Sequence, residues 1–422
     1  MIAALLSHDG VRAARAHIER SDAVTLERQA ELSAIPAPTG SEAARAAKVA
    51  AMLNDAGLES VSIDAVGNVH GWHGKQPALR SEATKGETGN GCVALSAHLD
   101  TVFGPELDVS VSRKGHRLEG PGISDNARGL AALVTLGEAM VRARIETQRP
   151  VLFAATVGEE GSGDLRGVRH LFSPSDRPTV RPSAFIALDG AGVERIVHRA
   201  LGARRYRVTF TGPGGHSWSA YGVANPAHAV GRAIDLIADI PTHDAPRTTH
   251  GSSTHGSSAP RTAHSVVRIG GGTSLNSIPQ TAWFDIDLRS EDPGALERLD
   301  ESVQALLERA LQDENRRRRP ATAPLALTIA RIGERPSGLT PRSHPLVQAA
   351  VAATRAVGYD HQLACASTDA NIPIALGVPA VALGAGGRAG DAHLPSEWYE
   401  NDKGALGIVR ALLVTAAMAE AC

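Results

Sequence analysis

Aromatic residues are scarce, six Phe, four Trp and four Tyr making up 3% of 422 residues, so surfaces for stacking nucleic-acid bases are not expected. Ala, Val, Leu and Ile must then fill the interior. Cysteine is nearly absent: Cys92, Cys365 and Cys422 are scattered, odd in number and without metal-type spacing, which fits a reducing compartment. Neither sign of charge is in excess, with 43 Lys and Arg against 45 Asp and Glu, so there is no field to steer the chain toward DNA or RNA. The one basic run, Arg316 to Arg319, reads as the solvated end of a helix. No apolar run approaches a membrane span, and the opening MIAALL is too short and lacks the basic start of a signal peptide. A cytoplasmic protein that binds neither nucleic acid nor membrane is expected.

What is present is length and ordinary globular composition, 42% hydrophobic and 21% charged. A chain of 422 residues exceeds the size at which one core usually stops growing, so two domains are expected.

Chemistry concentrates at the ends of apolar stretches. Residues 150–163, PVLFAATVGEEGSG, read as a buried strand that delivers Glu159 and Glu160 into a glycine-rich turn. In an open α/β sheet, ligands bind beyond the carboxyl ends of the strands. Four further stretches carry similar cargo: VALSAHLD at 93–100 with His98 and Asp100, GPGISDNARG at 120–129 with Asp125, FIALDG at 185–190 with Asp189, and DAHLPSE at 391–397 with His393. Side chains two apart on a strand share a face, so His98 and Asp100 can meet one pocket, although such a pair alone is commonly a structural ion pair. Asp125 stands just ahead of a helix predicted over 127–143, where capping is its plain role. Together the stretches offer imidazole and carboxylate without thiolate, ligation suited to zinc, manganese or cobalt.

Along the chain the patterns predict surface helices over 22–34 and 41–56, the second opened by Ser41 as N-cap with Glu42 in its first turn, then strands near 60–63 and 68–73 and an exposed loop over 75–91. From residue 203 the order changes to strand 205–211, helix 225–239, strands 266–269 and 282–289, helix 293–314 and strand 325–332, a βαββαβ series that reads as an inserted ferredoxin-like unit. Residues 242–265, rich in Ser, Thr, Gly and His, read as a surface loop without assigned role. The first domain resumes near Leu339, with helices from 345 to 356 and from 367 to 376 and a buried strand over 379–383. The second domain has its own glycine-rich signatures: GPGGHS at 212–217 with His216, GGGTSLNSIP at 270–279 with Asn276, and DIDLRS at 285–290 with Arg289.

The five strand-end stretches, in this order, resemble the M20 family of dinuclear metallopeptidases, nearest its peptidase T-like branch, over nearly the whole chain. The resemblance implies an α/β fold: a mixed-sheet, zinc-peptidase-like catalytic domain (1–202 and 337–422) with an inserted ferredoxin-like α+β lid and dimerisation domain (203–336). It implies two divalent metal ions, zinc foremost with manganese or cobalt as alternatives. His98 and Asp189 would complete one metal's shell and Glu160 and His393 the other's, with Asp125 bridging and followed by a cis peptide at Asp125–Asn126. Glu159 would be general base, and Asp100 would accept from the outer ring nitrogen of His98 and fix its tautomer. In relatives the histidine matching His216 reaches a neighbouring subunit's site to stabilise the oxyanion, so a homodimer is expected; the residues matching Asn276 and Arg289 hold the substrate's carboxylate, a task suited to the planar fork of arginine. Pro395 departs from the pattern, standing where relatives tend to carry a polar residue, and stiffens that loop.

The implied activity is hydrolysis of a C–N bond, amide or peptide, in a small carboxylate-bearing substrate such as a short peptide or N-acyl amino acid. One alternative is an aminohydrolase that releases ammonia from an aromatic amine of the 5-nitroanthranilate type. Another is a non-catalytic protein that binds ligands in a metal cleft; an intact Glu159 beside intact ligands argues against it.

Overall fold

A computed structural model describes residues 1–74, 91–173, 182–241 and 260–421. The chain divides into two compact units, Met1–Ala200 with Leu339–Cys422, and Leu201–Gly338.

The first unit is built on a mixed sheet. Four neighbouring strands, Val151–Thr156, Val93–His98, Ala184–Leu188 and Ala380–Leu383, run parallel, and every residue in them is buried, as strands covered on both faces require. Antiparallel strands flank them: Val69–His73 and Glu59–Ile63 on one side, Arg195–Ala200 on the other. Alternate residues feed two cores. Val93, Leu95, Phe153 and Ile186 face one set of helices, while Ala94, Leu152, Ala154 and Phe185 pack with Leu165, Val168 and Ile372 on the opposite face. The helix Ala127–Arg142 is buried from Ala127 to Met140, as expected of a helix that is apolar nearly all round. The parallel arrangement brings the carboxyl ends of four strands to one edge, and that edge carries the chemistry.

Three buried arginines stitch the loops around it. Arg45 donates to the carbonyls of Ser33, Ile35 and Leu99. Arg128 donates to Ala385 and Gly404, and Arg410 to Val193, Arg195 and Gly384. Each guanidinium has the donors to satisfy several carbonyls in loops and at element ends.

The second unit is ferredoxin-like. Its antiparallel strands lie in the order Thr262–Gly271, Thr281–Ser290, Gly202–Thr211, Ala326–Arg335. The helices Pro226–Ala238 and Pro293–Arg317 bury Ala229, Ala233, Leu299 and Val303 against Val208, Phe210, Phe284 and Ile286. The other face pairs charges directly across strands: Arg205 stands opposite Asp287 and Arg207 opposite Asp285, joined at 3.2 Å and 2.8 Å.

Several boundaries differ from expectation. The strand expected from Val266 begins at Thr262, opposite Ser290, because the partner strand supplies a ladder that local composition does not announce. Ser41 is not an N-cap: the helix is Ala43–Asp55 behind Glu42, whose carboxylate is instead buried and accepts from Gly40 and Gly158 backbone N–H groups. Helices Asp9–Arg20 and Ala405–Met418, and a small antiparallel sheet of Ser112–Lys114, Arg117–Glu119, Trp398–Glu400 and Arg388–Gly390, were not anticipated. The expected loops fall mainly on residues 75–90 and 242–259, outside the described residues. Among the described residues no helix is long and apolar enough to cross a membrane.

Candidate metal centre

Strand ends deliver the groups. Val93–His98 ends in His98, buried to 3% exposure. Val151–Thr156 leads through Gly158, at φ +64°, into buried Glu159 and Glu160. Asp189 follows Ala184–Leu188, and His393, half-exposed, sits in the loop after Arg388–Gly390.

Asp125 is the hub. Its Oδ1 lies 2.9 Å from His98 Nε2 and its Oδ2 lies 3.1 Å from His393 Nε2. His393 Nε2 is also 3.0 Å from Glu160 Oε1. One potential ligand atom from each of His98, Asp125 and Glu160 falls within 4.8 Å of the others, the one such cluster among the described residues. Asp189 is outside that group but coupled to it: burial, then the charges of Asp125 and Glu160, push its carboxyl up to about 7.

The turn carrying Asp125 is fixed by its neighbours. The Asp125–Asn126 peptide is cis. Asn126, rather than Asp125, caps the buried helix, accepting from Gly129 N–H at 3.1 Å, while its Nδ2 donates to the Leu188 carbonyl at 2.9 Å. It therefore ties the Asp125 turn to the strand that ends beside Asp189. Gly129 is required here, because a Cβ would stand 2.2 Å from Asn126 Oδ1 and 2.5 Å from the Leu188 carbonyl.

Asp100 does more than expected. His98 Nδ1 is 3.0 Å from the Asp100 backbone carbonyl, and the Asp100 carboxylate stands farther off at 3.6 Å. That carboxylate, fully buried, accepts from the Glu159 and Glu160 backbone N–H groups, both at 2.9 Å, and from Thr39 Oγ1 at 2.8 Å. With Glu42 accepting from Gly158, three successive backbone donors of the Glu159–Glu160 turn end on buried acids.

The electrostatics show a site short of positive charge. Burial would lower His98, but Asp100 and Asp125 raise it well above the ordinary imidazole value. Hydrogen bonds with Asp125 and Glu160 push His393 up to about 10. Burial would raise Asp125, yet its bonds with His393 and His98 hold its carboxyl below the ordinary range. Protons on the imidazoles thus offset crowded carboxylates; divalent cations would take over that role and release the protons. The donor set of imidazole nitrogens and carboxylates, with His98 Nδ1 held by a carbonyl so that Nε2 faces inward, fits such an ion.

His216, Asn276 and Arg289 lie in the second unit. His216 and Asn276 are brought together by a short antiparallel strand pair, Gly215–His216 with Ser277–Ile278, in which His216 pairs with Ser277 and Ser217 N–H donates to the Asn276 carbonyl at 2.9 Å; both side chains are exposed. Arg289 is half-buried and paired with Asp287 at 2.6 Å. Glu42, Asn126 and Glu397 escaped notice as site residues. Their signal was weak, since Asn126 merely follows Asp125 and Glu397 follows His393 by four positions.

A curated relative, the Escherichia coli protein YgeY, described as uncharacterized, is 27% identical over 166 residues, 35% of this chain and 37% of that protein. The chain thus matches little more than a third of that relative's length. Aminopeptidase PepT from Bacillus cereus has a similar fold, with a TM-score of 0.67 at 20% identity over 93% of this chain and 99% of that one. So has the Bacillus subtilis YXEP protein, described as a dinuclear metal-binding peptidase, with a TM-score of 0.64 at 15% identity over 96% and 100% of the two chains. The profile of peptidase family M20/M25/M40 matches residues 94–419, and with the site at the strand ends of that same span, the chain belongs to this hydrolase family.

Proposed function

We propose that the protein is a two-metal hydrolase that cleaves the C–N bond of a short peptide or N-acyl amino acid with a free carboxylate. The observation that carries this reading is Asp125, which turns one oxygen to each of two imidazoles from distant parts of the chain, the disposition required of a carboxylate shared by two cations. His98 and Asp189 would hold one ion, Glu160 and His393 the other, and zinc is the first choice, with manganese or cobalt also suited to the donors. Such ions, when bound, supply Lewis acidity to polarise the scissile carbonyl and to make water acidic near neutral pH.

The chain's own residues do the rest. Glu159 takes a proton from the attacking water as its oxygen bonds to the carbonyl carbon, and returns that proton to the nitrogen as the C–N bond breaks. Asp100 and Glu42 hold the Gly158–Glu159 backbone in place during this transfer. Arg289 and Asn276 bind the substrate's carboxylate and His216 stabilises the oxyanion, acting from a second copy of the chain in a homodimer. Asp287 keeps the Arg289 fork paired until the substrate arrives.

The test is a panel of dipeptides, tripeptides, N-acyl amino acids and aminobenzoates, scored for released amino acid and for ammonia. Chelation should abolish turnover and divalent metal restore it. Ammonia from aminobenzoates alone would replace this reading with an aminohydrolase, and no turnover with bound metal would replace it with a binding protein. Glu159→Gln should keep both metals and lose about 10²–10⁴-fold in kcat; joint loss of metal would make Glu159 a ligand instead.

A further inference from the structure

Residues 391–396 are six exposed positions in succession, and they carry His393. Asp391 and His393 adopt left-handed backbone, at φ +57° and +68°, a conformation that non-glycine residues keep only where the surroundings hold them in it. An exposed loop has little packing with which to do so. The next residue, Glu397, is fully buried, and its carboxylate is spent entirely on the turn that carries Asp125. Oε2 accepts from Gly122 N–H at 3.0 Å; Oε1 accepts from Ser124 N–H at 2.7 Å, Ser124 Oγ at 2.6 Å and Asp125 N–H at 2.9 Å. Its main chain is anchored as well: the Glu397 carbonyl accepts from Gly120 N–H at 2.9 Å, and its N–H donates to the Leu394 carbonyl at 3.0 Å.

We infer that Glu397 is a positioning residue that builds the metal centre by clasping the His393 loop to the Asp125 turn. It touches neither substrate nor metal; it sets the separation of two ligands that the chain supplies 268 positions apart. Four donors converge on one carboxylate, so no neutral residue can replace it: in Glu397→Gln the amide NH₂ must face a backbone N–H, and the clasp opens on one side. This inference rests on the metal-centre reading of Asp125 and His393.

The experiment uses Co²⁺ alone as probe. Purified wild type, Glu397→Gln, Glu397→Ala and Ser124→Ala are stripped with chelator and titrated with Co²⁺, followed by visible absorption, well below each variant's melting temperature. Leu53→Ala, in the helix Ala43–Asp55, serves as a destabilised control. Both Glu397 variants should bind Co²⁺ about 10–100-fold more weakly than wild type, the range for removing a group that orients ligands, with an altered Co²⁺ spectrum. The control should bind as wild type does. Wild-type affinity and spectrum in folded Glu397 variants would overturn the inference while leaving the metal centre intact. Failure of wild type to bind Co²⁺ would overturn both. If neither Glu397 variant folds, Ser124→Ala decides: it removes the 2.6 Å hydroxyl bond, and a several-fold weaker affinity supports the clasp, whereas unchanged affinity overturns it.

Discussion

Replacing Asp100 by Asn separates two roles that a carboxylate beside a histidine can play. The side chain is fully buried and receives three donors, Glu159 N–H and Glu160 N–H at 2.9 Å and Thr39 Oγ1 at 2.8 Å. Asn keeps the shape but has one acceptor oxygen. If that oxygen serves Glu160 and Thr39, the amide NH₂ faces the Glu159 N–H, and one buried donor loses its partner at a cost of about 1–3 kcal/mol. The two surviving bonds lose their charge assistance, about 1 kcal/mol each. The sum is about 3–5 kcal/mol, a loss that surface substitutions do not produce. Denaturant unfolding at constant m measures it.

The same variant leaves the Asp100 backbone carbonyl in place, and that carbonyl is the nearer partner of His98 Nδ1, at 3.0 Å against 3.6 Å for the carboxylate. Cation affinity should therefore change little, while kcat falls about 10²-fold as Glu159 shifts from its working position. Two results refute the reasoning. A stability loss below about 1 kcal/mol would mean that the carboxylate does not hold the turn. Lost metal with unchanged stability would return the orientation of His98 to that carboxylate.

Stripped of metal, the protein should lose stability as pH rises. Asp189 is raised from 3.8 to about 7 and His393 from 6.5 to about 10, so the folded state holds protons that the unfolded chain has released; that stabilisation is complete below the unfolded values and is lost between about pH 4 and 7 for Asp189 and between about pH 6.5 and 10 for His393. Thermal melts between pH 7 and pH 9 check it, above the range in which His17, His70, His73 and His198, lowered by burial, act in the opposite direction, and saturating Zn²⁺ should flatten the decline; a stripped protein equally stable at pH 7 and pH 9 would contradict it. Arg289→Ala should raise KM for carboxylate-bearing substrates with little effect on their amidated analogues, and an unchanged KM would remove Arg289 from the pocket. Leu133→Ala, at a fully buried position of the central helix, should cost about 2–5 kcal/mol and leave the Co²⁺ spectrum as in wild type, measured by calorimetry and absorption.

Much of the fold was legible because its signals are local. The strands 93–97 and 150–157 announce themselves by apolar runs and 282–289 by alternation of apolar and charged residues, and the inserted βαββαβ order follows from the spacing of such segments. The helix Asp9–Arg20 was overlooked because its apolar positions, Val11, Ala14 and Ile18, are few and small against a polar background. The short strands Ser112–Lys114 and Arg388–Gly390 consist of exposed or half-exposed residues and exist through pairing alone. His98, Asp125, Glu160 and His393 could be picked out because ligand chemistry restricts residue type. Asp100 was picked out too, as an acceptor for His98, but neither the closer approach of its carbonyl to the ring nor the hold of its carboxylate on the Glu159–Glu160 turn could be read, since a sequence does not say which oxygen of a residue faces a ring nitrogen.

The acids that hold the centre in shape were illegible for a physical reason. Glu42 accepts from Gly158, Asp100 from Glu159 and Glu160, and Glu397 from Gly122, Ser124 and Asp125. Each turn that presents a ligand has left its strand, so its backbone donors lack ladder partners, and an unpaired donor in a buried site is costly. A carboxylate from elsewhere in the chain supplies the missing acceptor, and each of the three accepts from more than one donor at once. The demand is therefore local and visible, a glycine-rich turn at the end of a strand. The supply comes from 59 to 275 positions away, where nothing distinguishes the acid from a solvated one. In the proposed centre a ligand's position is thus set by residues outside the ligand set, and substitutions at Glu42, Asp100 or Glu397 should cost more than their distance from the chemistry suggests.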